Sequence, residues 1–107
     1  WRAAQGELET IQQKTDPIGV ERSSVYSDFK LTVEKGDIII LFTDGLIESL
    51  NKEGRQYGTE SLSQVISENN SLTAKELATE IKHNIQAFIG LASLHDDQTL
   101  VIMKIKN

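Results

Sequence analysis

The chain has 107 residues, no cysteine, and 11 basic against 16 acidic side chains, which gives a net charge of −5. This length predicts a single domain, and the lack of cysteine excludes disulfide scaffolds, thiolate zinc sites and cysteine nucleophiles. The acidic balance disfavours nucleic acid as a partner, and the longest apolar run, Ile38–Phe42, is too short to cross a bilayer. The chain begins at Trp1 rather than at Met, so we expect an excised piece of a longer protein, and the lack of a charged and apolar leader indicates that this start is not a signal peptide. We also expect a cytoplasmic location without direct membrane contact.

The first part of the chain predicts strands joined by turns. Residues 7–13 alternate loosely, and residues 25–33 alternate as a half-buried strand requires. Residues 16–19 and 34–37 contain the proline and glycine typical of tight turns. The run Ile38–Phe42 is continuously apolar and rich in β-branched residues, which predicts a central strand covered on both faces.

A turn, a loop and a first helix follow this strand. The tripeptide at residues 43–45 ends the strand, and residues 45–50 predict one or two helical turns. Residues 51–58 carry two glycines among polar side chains, which indicates a loop. From Thr59, apolar residues recur at helical spacing until the chain reaches the two asparagines at 69–70.

The next helix has the clearest start signal in the chain. Thr73 and Glu76 have the spacing of a capping box, and Gly90 suits the helix end. The apolar stripe between them comprises Leu77, Ile81, Ile85 and Phe88. Residues 99–105 predict a last strand, and Lys104 and Lys106 indicate that it emerges toward solvent. Strands, helices and a strand in this order predict an α+β fold with a helix pair on the sheet.

Two acidic clusters stand at strand ends: Asp44 with Glu48 follows the apolar run, and Asp96 with Asp97 precedes the last strand. If the two strands are neighbours, these carboxylates meet with no local countercharge. Two unit charges about 4 Å apart repel by about 4 kcal/mol at an effective dielectric near 20. Such a cluster raises a pKa or holds a cation, and all-oxygen ligands favour Mg²⁺ or Mn²⁺. Both clusters also fit ordinary turns, because Asp-Gly is a common turn dipeptide.

Four motifs in order carry a family resemblance. Residues 36–48 contain Gly-Asp, an apolar strand, Thr-Asp-Gly and a Glu, and this resembles a signature of PPM-type (type 2C) metal-dependent serine/threonine phosphatases. The likeness is greatest to the bacterial stage II sporulation protein E class. Residues 17–19 resemble its Pro-Leu-Gly turn, residues 57–58 its aromatic-glycine pair, and residues 96–102 its closing Asp-Asp-x-Thr with an apolar strand.

The resemblance implies part of an antiparallel β-sandwich flanked by a helix pair. Residues 1–107 then form a single domain fragment, the C-terminal half of a PPM-type phosphatase domain. The family binds two Mn²⁺ or Mg²⁺ ions at one end of the sandwich, where a bridging water attacks phosphorus. Asp44 and Asp96 match ligands of this centre. Asp97 matches a position where the wider superfamily often has Asn, and Glu48 matches a motif acid to which we assign no role.

The family motifs that supply the bridging aspartate are not among these residues. We therefore expect residues 1–107 alone to be inactive and to bind metal weakly. Half of a sandwich exposes sheet edges and apolar faces, so we also expect self-association into a dimer or higher oligomer, with strand exchange as one route.

By resemblance, the function is metal-dependent dephosphorylation of phosphoserine or phosphothreonine on a regulatory protein, such as an anti-sigma-factor antagonist. A second hypothesis is a non-catalytic protein-interaction module that retains the phosphatase scaffold. A third is an acidic structural domain with two incidental turns.

Overall fold

The computed structural model describes residues 1–11, 30–90 and 98–106. Their elements are, in chain order, β1 (Ile38–Phe42), α1 (Asp44–Ile47), α2 (Gly58–Asn69), α3 (Ala74–Ile89) and β2 (Leu100–Lys104). The predicted α+β class is confirmed. The predicted turn at residues 16–19 and most of the strand predicted over residues 25–33 lie outside the described residues.

The sheet consists, within the described ranges, of β1 and β2 in antiparallel pairing. The register runs from Ile38 opposite Lys104 to Phe42 opposite Leu100. Because side chains alternate along a strand, one face of this pair packs on the helices and the other does not. The inner face is formed by Ile38, Ile40, Phe42, Leu100 and Ile102.

The outer face corrects one prediction. Leu41 is 55% exposed and Val101, directly opposite, is 46% exposed. The prediction of a central strand covered on both faces is therefore wrong for the part of the chain that is described. Ile39 is partly buried and Leu41 is exposed, and neither belongs to the core cluster, whereas the inner face of β1 packs on it.

The segments before β1 also differ from their predictions. Neither residues 7–11 nor residues 30–33 belong to a strand; Glu7 makes only an isolated bridge with Arg2. The carbonyl of Thr32 instead accepts a hydrogen bond from the Arg2 guanidinium at 2.6 Å. The Thr32 carbonyl thus pairs with a side chain, where a strand would pair it with the backbone of a neighbouring strand.

The helix pair forms most of the core. Its buried side chains are Leu62, Val65 and Ile66 of α2, and Leu77, Ile81, Ile85 and Ile89 of α3. The capping box is confirmed, since the Glu76 amide donates to Thr73 Oγ1 at 3.2 Å and the Thr73 amide donates to Glu76 Oε1 at 3.0 Å. Gly90 ends α3 with a φ of +61°, a conformation that glycine adopts without strain.

Of the two lysines predicted to mark the emergence of β2 into solvent, Lys106 is exposed and Lys104 is only partly exposed. The Lys104 ammonium donates to the carbonyls of Asn70 and Leu72, each at 2.7 Å. The first of these stands at the C-terminal end of α2, where carbonyls lack helical partners and a cation is favoured. Lys104 therefore ties β2 to the turn between α2 and α3.

No helix in residues 1–11, 30–90 and 98–106 combines the length and hydropathy that a membrane crossing requires. The longest of them, α3, has 16 residues and an amphipathic pattern.

Candidate functional site

The site is built where β1 ends beside the start of β2. The Thr43 amide donates to the Thr99 carbonyl at 3.1 Å, which extends the strand ladder by one residue. The Thr43 carbonyl then turns away and accepts from the Leu46 amide at 3.0 Å, which begins α1. The Thr43 hydroxyl oxygen takes over as the ladder acceptor, because the Thr99 amide donates to Oγ1 at 3.1 Å. A threonine at this position serves the strand and the helix together.

Asp44 is the first residue of α1 and its side chain is exposed. It lines an open cavity of about 450 Å³ beside β1, together with apolar side chains such as Leu8 and Ile47. The Glu48 amide donates to the Asp44 carbonyl at 3.0 Å and ends the single helical turn. Among the described residues no basic side chain forms an ion pair with Asp44, so its carboxylate is available as a hard oxygen donor.

The side chain of Gln98, two residues before β2, holds α1 in place. Gln98 Nε2 donates to the Ser49 hydroxyl oxygen at 2.5 Å and to the Gly45 carbonyl at 3.2 Å. Ser49 Oγ in turn donates to the same Gly45 carbonyl at 2.8 Å. Ser49 is only 8% exposed, and its carbonyl accepts from the Tyr57 amide at 2.8 Å. We call the group formed by Gln98, Ser49 and Gly45 the Gln98 clamp.

The predicted ligands are only partly within the described residues. Asp44 lies at the strand end, as predicted, whereas Asp96 and Asp97 lie outside the described ranges. Within those ranges, no three His, Asp or Glu side chains cluster closely enough to hold a metal ion. The described part of the chain thus offers Asp44 as one ligand of the type that Mn²⁺ and Mg²⁺ prefer.

The Gly-Asp pair of the first motif has a structural task. Asp37 is buried and its carboxylate accepts the amides of Glu34 and Ala3, each at 2.9 Å. These backbone hydrogen bonds, that from Glu34 first, hold the pKa of Asp37 below its ordinary value. Gly36 closes the predicted turn with a φ of +93°. Asp37 therefore anchors the chain before β1 through both of its carboxylate oxygens.

The aromatic-glycine pair is also structural. Tyr57 is 3% exposed, and its hydroxyl donates to Asn84 Oδ1 at 2.6 Å. Its ring meets Phe88 edge to face, with centroids 5.4 Å apart. Burial raises the pKa of Tyr57 to about 12. Gly58 begins α2 with a φ of +75°. This pair locks the start of α2 onto α3.

Sequence reasoning missed Gln98 and Ser49. Gln98 is a polar residue between an aspartate and a threonine, and Ser49 is a polar residue between Glu48 and Leu50. Nothing in the local pattern couples these two positions, because 49 residues separate them.

The α+β arrangement and the acidic turn between β1 and α1 agree with the class that the motifs indicated, the PPM-type protein phosphatases. Residues 1–106 match the family model described as Stage II sporulation protein E (SpoIIE), and the chain belongs to this family. It is 30% identical over 96 residues, 90% of its length, to the phosphoserine phosphatase RsbU of Bacillus subtilis (strain 168). The match covers 28% of that relative, so the chain spans little more than a quarter of the relative's length. No solved structure gives a significant match.

The resemblance drawn from the four motifs is thereby confirmed, and the chain is related to phosphatases. The activity, substrates and partners of the whole protein are proposals, which follow.

Proposed function

We propose that this chain supplies part of the metal centre of a protein phosphatase that hydrolyses phosphoserine or phosphothreonine on a regulatory protein. The observation that carries the proposal is the junction of the two strands, where Thr43 and Thr99 exchange hydrogen bonds. Asp44 is the next residue after Thr43, and Asp96 and Asp97 precede Gln98, which contacts Gly45. This connectivity favours carboxylates from both strands contributing to one cation site.

Under this proposal the chain supplies ligands that bind the cation and fix its position. Asp44 and Asp96 are ligands, with Asp97 as a further candidate. When bound, Mn²⁺ or Mg²⁺ supplies Lewis-acid chemistry by polarising phosphoryl oxygens and activating water. The exposed position of Asp44 at an open cavity suits a site that a protein-borne phosphate must reach from solvent.

The regulatory substrate is proposed to be of the anti-sigma-factor antagonist type, which would place the protein in cytoplasmic signal transduction. The name of the relative, a phosphoserine phosphatase, supports phosphoserine as the target, and the antagonist type is what the family resemblance implies. The net charge of −5 agrees with a protein substrate rather than a nucleic acid.

A second candidate function is a non-catalytic interaction module. The observation that favours it is the outer face of the β1–β2 pair, where Leu41 is 55% exposed and Val101 is 46% exposed, since exposed apolar surface of this kind is typical of contacts with other proteins. Such a module would keep the Thr43–Thr99 junction as scaffold and would not need a carboxylate at position 44.

The test is a manganese titration of the full-length protein by calorimetry, paired with hydrolysis of a phosphoserine peptide. Substitution of a residue that only supports a metal ligand typically lowers metal affinity or activity 10–100-fold, and loss of a ligand itself should cost more. Asp44→Asn and Asp96→Asn should therefore each lower manganese affinity and peptide hydrolysis by at least about 100-fold. The matched control is Glu80→Gln, an exposed carboxylate on α3 far along the chain. Manganese affinity that is equal in all four proteins would refute the ligand assignment, and binding without hydrolysis would favour the interaction module.

We further propose that residues 1–107 in isolation are inactive and associate with a second copy through the outer sheet face. That face is formed by Ile39, Leu41, Val101 and Met103. Four uncharged apolar side chains in register are self-complementary, which is what a two-fold contact between identical chains requires.

A further inference from the structure

The short helix that carries Asp44 is weakly determined by its own residues. α1 has four residues, and a single helical turn fixes several backbone dihedrals for few hydrogen bonds. Its only fully buried side chain is Leu46, which packs into the core. The junction of Thr43 with Thr99 secures the beginning of α1, and the hydrogen bonds of the Gln98 clamp secure its first turn and its end.

The Gln98 clamp joins α1 directly to the start of β2. Gln98 Nε2 contacts both Gly45, next to Asp44, and Ser49, one turn further along. The Ser49 hydroxyl uses its single proton for the Gly45 carbonyl and its lone pair for Gln98, so the three groups are mutually satisfied. Because Ser49 is nearly buried, water competes poorly for these bonds.

We propose that Gln98 and Ser49 are positioning residues, which set the distance between the Asp44 carboxylate and the segment that enters β2. The inference rests on the proposed function, since it assigns these residues to the same cation site. A metal ligand must be held within about 0.5 Å of its productive position, and the clamp adds three hydrogen bonds that hold the one-turn helix carrying Asp44.

The experiment uses the full-length protein with Gln98→Met, which keeps the length of the side chain and removes its hydrogen bonds. The matched control is Gln64→Met on α2, where the amide only contacts Glu68 at the surface. Ser49→Ala is the second test variant, and Ser49→Thr retains the hydroxyl and should restore binding.

Two quantities are measured for each variant. The first is amide hydrogen exchange of Glu48, whose N–H closes α1 on the Asp44 carbonyl. We expect exchange roughly ten-fold faster in Gln98→Met, the effect of losing one or two hydrogen bonds of ordinary net strength. The second is the manganese dissociation constant, which should rise about ten-fold, the lower end for groups that orient a metal ligand. Gln64→Met should change neither quantity.

The outcomes separate the clamp from the proposed function. Unchanged Glu48 exchange in Gln98→Met would refute the clamp itself. Faster exchange with unchanged manganese affinity would show a purely structural contact and overturn the positioning role. Failure of the proposed function is read independently, as an Asp44→Asn protein that binds manganese like the wild type.

Discussion

The substitution Thr43→Val tests whether the Thr43 hydroxyl holds the end of β1 against Thr99, directly before Asp44. Valine has the shape of threonine and keeps the backbone donor to the Thr99 carbonyl, but it removes the acceptor for the Thr99 amide. One neutral hydrogen bond contributes about 0.5–1.5 kcal/mol net. Both threonines are exposed, so water partly replaces the lost acceptor, and we expect the lower half of that range.

The assay is amide hydrogen exchange of Thr99 in the intact protein. A loss of about 0.5–1 kcal/mol accelerates exchange roughly two- to five-fold, since 1.4 kcal/mol corresponds to a factor of ten. Thr79→Val is the matched control, because the Thr79 hydroxyl only donates to the Lys75 carbonyl within α3. The reasoning is refuted if Thr99 exchange is unchanged in Thr43→Val or accelerates equally in Thr79→Val.

Two further predictions concern the core and the outer face. Burial raises the pKa of Tyr57 from 10.0 to about 12, so folding favours the neutral phenol. The free energy of unfolding should therefore fall as pH rises from about 10 to about 12. In urea titrations, the Tyr57→Phe variant should lack this decline. A decline of the same size in both proteins would contradict the assignment to Tyr57. Leu41→Lys should shift residues 1–107 toward monomer in light scattering, whereas Leu50→Lys, the same change at an exposed loop residue, should not. Oligomers that persist in Leu41→Lys would exclude the outer face as the contact.

Local patterns predicted the elements that local forces form. The capping box at Thr73 and the apolar stripe from Leu77 arise from residues three and four apart, which any helix brings together. All four predicted stripe residues contact the core: Phe88 is partly buried against it and meets the Tyr57 ring edge to face, and the neighbouring Ile89 is buried as well.

Patterns failed where a distant partner replaced the local one. Alternation predicted a strand through residues 30–33, but the Thr32 carbonyl accepts a hydrogen bond from the Arg2 guanidinium, 30 residues away in the chain. Lys104 looked like a solvated strand end, yet it caps carbonyls more than 30 residues away. Such pairings depend on which chain segments the fold brings together.

The candidate site likewise has features that the sequence predicted and features that it did not. Its acidic residue Asp44, its position after an apolar strand and the family to which the chain belongs were readable from sequence, because they reside in a contiguous run of residues. Only the antiparallel register of β1 and β2 decided two further features. The Thr43 hydroxyl oxygen, and not the Thr43 carbonyl, accepts the hydrogen bond from the Thr99 amide, and Gln98 and Ser49 secure α1. Hydrogen bonds between residues about 50 positions apart have no periodicity in the chain, so only the tertiary structure could reveal them.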